Sequence, residues 1–76
     1  MEKSEKLRAV FPRRLKSAMF DKGLNCKQLA EQTDIHNNMI GHYVRGKYLP
    51  KIEALLALCQ ALDVSADWLM GREEKG

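Results

Sequence analysis

Residues 28–46 read QLAEQTDIHNNMIGHYVRG. Apolar Leu29 and Ala30, then Ile40, Tyr43 and Val44, recur at helical spacing on either side of a polar break at Thr33–Asp34. The pattern predicts a short helix ending near Thr33, a sharp turn, and a second short helix from Asn37 to Arg45 stopped by Gly46. With Ile40 at the centre of the buried face and about 100° of turn per residue, His36, Tyr43 and Val44 fall within about 60° of it. Asn38, Gly41, His42 and Arg45 fall roughly 100–200° away, and Asn37 sits at the edge of the first turn. The outward face therefore carries two amides at its N-terminal end, no acid and no large apolar residue.

A helix, a turn and a second helix with such a face form the layout of a helix-turn-helix, which seats one helix in the major groove of DNA. The N-terminal residues of a recognition helix reach base edges. An Asn amide can donate to and accept from adenine together, and His42, one turn further on, can donate to guanine or to phosphate. Asn37, Asn38, Gly41 and His42 are the expected base-contacting residues. Capping is the competing role for Asn37 and Asn38, and a tolerated local weakness competes at Gly41, where glycine costs a helix about 1 kcal/mol. Arg45, Lys47 and Lys51, with Tyr48 between them, are the expected phosphate contacts flanking the groove. Asn25 and Lys27, at the start of the preceding helix, join them because a helix N-terminus presents free N–H groups to an anion.

Outward from this stretch the apolar spacing stays helical, and no alternating β-branched run is present. A first helix is expected from Arg8 or Pro12 to Lys22, with Phe11, Leu15, Ala18 and Met19 on one face and Gly23 as its stop. Asn25 is placed to cap the second helix. Beyond Pro50, a fourth helix from Lys51 to Leu62 is expected to bury Ile52, Leu55, Leu56, Cys59 and Leu62. Ser65 caps a short fifth helix, Ala66 to Met70, before Gly71. The expected organisation is a flexible arm at residues 1–7, one all-α domain at 8–71 and a flexible tail at 72–76.

A chain of 76 residues is one small domain with a marginal core. Its net charge of +3 is unevenly spread: residues 8–51 carry nine Lys/Arg against Asp21, Glu31 and Asp34, whereas residues 52–76 carry two against five acids. A basic portion of this kind suits a polyanion. No apolar run is long enough for a bilayer and the charged N-terminus is unlike a signal peptide, so a cytoplasmic location is expected. Cys26 and Cys59 form no C-x-x-C pair, and His36 and His42 lie on different helix faces, so no metal site and no cofactor are expected. No catalytic arrangement is present, and an enzyme is not expected.

From Phe11 to Gly71 the chain resembles the lambda-repressor-like, Cro/C1-type helix-turn-helix domains. Phe11, Leu15, Gly23-Leu24, Leu29-Ala30-Glu31, Ile35, Ile40, Arg45-Gly46-Lys47 and Pro50 carry the likeness, and ALLALCQALDVSADWLMG is similar to the family's last two helices. The resemblance implies a compact five-helix fold with the helix-turn-helix at helices 2 and 3, and a regulator that binds a pseudo-palindromic operator as a homodimer. Four departures are visible. The turn glycine is Asp34, which tolerates the left-handed conformation. The small hydroxyl cap of the recognition helix is His36. A phosphate-binding glutamine is Cys26. A buried Arg–Glu pair is Met19 and Val44, an exchange on both sides that preserves stability if the two pack together. The alternative function is a protein-interaction module of the antitoxin kind with a protein partner, supported by the acidic C-terminal third and by Trp68, Leu69 and Met70. Trp68 and Met70 are the candidates for a dimer interface.

Overall fold

The computed structural model describes residues 2–72, with side chains from Lys6 onward. Five helices follow one another: α1 (Glu2–Lys22), α2 (Cys26–Thr33), α3 (Asn37–Val44), α4 (Ile52–Leu62) and α5 (Ala66–Leu69). No strand occurs among the described residues, as the helical spacing predicts.

α1 is longer than its expected start at Arg8 or Pro12. It begins at Glu2, so residues 2–7 continue the helix instead of forming a separate arm. The segment before Pro12 is dominated by good helix formers, which extend the helix upstream. Pro12 therefore lies inside α1 and leaves the Arg8 carbonyl without its usual i+4 donor. The Pro12 ring is buried and lies against Gly46, where an added Cβ would be 3.2 Å from Pro12 Cγ. Gly46 has φ +79°, so glycine meets both the left-handed turn and the close approach of α1. At the other end of the chain, an added Cβ at Gly71 would lie 2.6 Å from Val10 Cγ1, so the turn after α5 also abuts α1. Residues 73–76 of the expected tail lie outside the described residues.

Phe11, Leu15, Ala18, Met19, Leu29, Ile40, Tyr43, Leu55, Leu58, Cys59, Leu62 and Leu69 make one core drawn from all five helices. α1 packs on α3, α4 and α5, and α2 packs on α3 and α4. The Phe11 ring meets Tyr43 edge-on, with centroids 6.3 Å apart, which fastens α3 to α1. Among the described residues no charged or polar side chain is buried. Met19 and Val44 both belong to that apolar interior: Met19 is one of the core residues, and half-buried Val44 packs against the core cluster. Burial pushes the Tyr43 phenol and the Cys59 thiol above their ordinary pKa values, keeping both neutral.

α4 departs from expectation. Leu55, Leu58, Cys59 and Leu62 are its buried residues, while Ile52 is 65% and Leu56 51% exposed. The segment is apolar around most of its circumference, so more than one stripe fits the sequence. The core selects the stripe centred between Leu58 and Cys59, and Ile52 and Leu56 turn roughly 70–110° out of it.

α2 opens on a capping box: Gln28 N–H donates to Asn25 Oδ1 at 2.8 Å, and Asn25 N–H donates to Gln28 Oε1 at 2.9 Å. Asn25→Ala is expected to lower stability by about 0.5–2 kcal/mol, most of it the lost cap, and urea denaturation of the pure protein measures it.

Candidate nucleic-acid interface

The turn between α2 and α3 is built from side chain to backbone. The Thr33 hydroxyl donates to the Leu29 carbonyl at 2.8 Å and accepts from Ile35 N–H at 3.3 Å. Asp34 follows at φ 64°, with its N–H donating to the Ala30 carbonyl. The residue standing at the family's glycine position thus takes the left-handed conformation expected of it.

His36 is the N-cap of α3: its Nδ1 accepts from Asn38 N–H at 3.1 Å. It is exposed, contrary to its placement on the buried face. The helical angle does not apply to it because its backbone (φ −59°, ψ 142°) precedes the helix. With His36 as the cap, neither Asn37 nor Asn38 serves that role. Both stand exposed in the first turn, followed on the same side by half-buried Gly41 and His42. Ile40 and Tyr43 face the core, as the angular reading requires.

Asn37, Asn38, Gly41, His42 and Arg45 line one concavity together with Cys26 at the start of α2. The sequence names the first five as one face, and the fold adds Cys26. Arg45 is not splayed towards the flank. It folds back over α3 so that its Nη2 lies 3.1 Å from His42 Nδ1. The His42 ring also meets the Tyr48 ring edge-on at 5.3 Å, and Lys47 Nζ sits 5.7 Å from the centre of the Tyr48 ring. Lys47, Tyr48 and Lys51 are exposed in the segment after α3.

Asn25 uses its side-chain oxygen and its N–H in the capping box. The first ladder bond of α2 comes from Leu29 N–H to the Asn25 carbonyl, so the N–H groups of Cys26 and Lys27 precede the ladder and suit an anion.

Trp68 is half-buried and tied to α1. Arg14 Nη1 donates to the Trp68 carbonyl at 2.7 Å, and its guanidinium lies 4.9 Å from the ring centroid. Met70, at the end of α5, is half-buried against the core. Among the described residues no cluster of His, Cys, Asp or Glu is suited to a metal ion, and no helix is long and apolar enough to cross a membrane.

Two helices joined by a left-handed turn, the second presenting a polar face beside basic residues, define a helix-turn-helix domain. A family model described as helix-turn-helix matches residues 15–69, and the chain belongs to that family, in its Cro/C1-type form. The chain is 37% identical over 62 residues to the HTH-type transcriptional regulator ImmR of Bacillus subtilis, a match covering 82% of this chain and 49% of the relative. It thus spans about half the length of that relative. No solved structure matches it.

Proposed function

We propose that the domain is a sequence-specific transcriptional regulator that inserts α3 into the major groove of a pseudo-palindromic operator as a homodimer, acting as a repressor where the operator overlaps a promoter. The observation that carries this reading is the face of α3. His36 supplies the cap, so Asn37 and Asn38 stand exposed in the first turn, the place from which a recognition helix reads bases. Arg45, Lys47, Tyr48 and Lys51 lie beside that face, and Lys27 with the start of α2 adds a second anion-binding element. The name of the Bacillus subtilis relative, an HTH-type transcriptional regulator, supports the regulator part of this reading.

Selection of bound sequences from random DNA, followed by salt titration, tests the reading. Groove binding requires affinity that falls steeply with salt as counterions are released. Affinity insensitive to salt, or equal for selected and random DNA, would refute it. Lys47→Ala is expected to weaken all sequences evenly and to lower the salt slope by about one. A change confined to one base position would instead make Lys47 a base-reading residue.

Self-association has two candidate surfaces. Trp68 and Met70 are the sequence-based choice. Ile52 and Leu56, one turn apart and exposed on α4, form the second, and the same pair is the observation that favours a protein partner. Sedimentation of Trp68→Ala and Leu56→Asp variants, with and without DNA, distinguishes them.

A further inference from the structure

We infer that Arg45 is a positioning residue that sets the tautomer of His42 and thereby the class of base His42 accepts, with Gly41 as the berth that allows it. The inference rests on the proposed placement of α3 in the major groove. A guanidinium is a permanent cation with donors only. The 3.1 Å contact between Arg45 Nη2 and His42 Nδ1 is a hydrogen bond only if Nδ1 is bare. A neutral His42 ring then carries its proton on Nε2, the nitrogen furthest from the backbone. The tautomer of a histidine is set by the bond its other nitrogen makes, and here that bond comes from three residues away on the same helix.

The arrangement also accounts for a glycine inside α3. A Cβ at residue 41 would lie 3.3 Å from Arg45 Nη1 and 3.7 Å from Nη2. The guanidinium therefore occupies the space over Gly41 that a side chain would crowd. Glycine weakens the helix, and in return Arg45 reaches back across one turn to His42. The Tyr48 ring, edge-on to His42, supports the imidazole from the loop.

The consequence for recognition is specific. A lone N–H donor in the major groove is satisfied by guanine N7 or O6, adenine N7 or thymine O4, whereas cytosine presents a donor there. With Nε2 protonated, His42 rejects cytosine on the strand it reads. In the opposite tautomer Nε2 would be an acceptor, which suits the amino groups of cytosine or adenine.

Two measurements on the full chain test this. The first is the ring 15N pattern of the neutral His42 imidazole in the free protein. The wild type is expected to show Nδ1 bare and Nε2 protonated. Arg45→Met, which keeps length and removes the donors, is expected to give a mixture of tautomers. So is Gly41→Ala, which alters neither polar group but crowds the guanidinium and favours the helix, so its fold is retained and verified by circular dichroism. The second is selection from random DNA: Arg45→Met is expected to reduce discrimination against cytosine at one position by about ten-fold, the scale of one hydrogen bond. A protonated Nδ1 in the wild type, or a tautomer unmoved in both variants, overturns the inference even where DNA binding is selective. A fixed tautomer in a protein without sequence preference upholds the Arg45–His42 coupling and instead refutes the groove placement.

Discussion

Phe11→Ala is expected to destabilise the domain by about 3–5 kcal/mol, the usual cost of truncating a buried aromatic residue. Phe11 is 1% exposed and sits where α1 meets α3, its ring edge-on to Tyr43. The truncation removes its own burial, the aromatic pair and the packing of the Tyr43 ring at once. A chain of 76 residues has a total stability of about 4–11 kcal/mol, so the variant should lie close to its unfolding threshold. Urea denaturation would show a lower midpoint with an unchanged slope. Because Tyr43 belongs to α3, the loss should also loosen the helix that carries Asn38 and His42. A destabilisation below about 1 kcal/mol would show that the Phe11 site collapses on truncation, and the core would then have no keystone between α1 and α3.

The same core shows what could be read from the residues beforehand. The helices, the cap at Asn25 and the left-handed Asp34 follow from local chemistry: each is decided within four or five residues by spacing, a side-chain acceptor or a tolerated backbone angle. Two features could not be read because they depend on what lies across the fold. Pro12 suits a helix start as well as an interior position, and its interior place depends on Gly46, 34 residues away in the chain, leaving room for the ring. In α4 the run ALLALCQAL offers several apolar stripes, and only packing against α1, α2 and α5 picks Leu58 over Ile52 and Leu56.

The candidate interface divides the same way. The outward set Asn37, Asn38, Gly41, His42 and Arg45 is legible because α3 is regular and its buried side is anchored by Ile40 and Tyr43. The cap role of His36 is legible from its position, but its exposure is not, because a helical angle does not extend to a residue that precedes the helix. The fold of Arg45 over Gly41 leaves a faint sequence signal, a glycine four residues before an arginine on an exposed helix face. Cys26 joins the concavity only through the angle between α2 and α3, which no local pattern reports.

Asn38→Ala is expected to cost about 1–3 kcal/mol of affinity at a single base position, roughly a five- to two-hundred-fold loss for the selected site. Asn38 is the second residue of α3, and its N–H is held by His36 Nδ1. The backbone beneath the side chain is therefore anchored, and the exposed amide keeps both its donor and its acceptor for a base edge. An adenine in the major groove matches that pair through N6 and N7. The position is exposed, so the substitution should leave stability within about 0.5 kcal/mol, and a drop in affinity cannot then be traced to unfolding. Affinity for random DNA and the salt slope should stay unchanged, because no phosphate charge is removed. Repeating the selection with the variant separates the two roles open to this residue. A consensus relaxed at one position, mirrored in the second half-site if the protein binds as a dimer, is the result expected of a base-reading amide. An unchanged consensus with uniformly weaker binding would move Asn38 to the phosphates and leave His42, with the tautomer that Arg45 sets, as the principal reader of the helix.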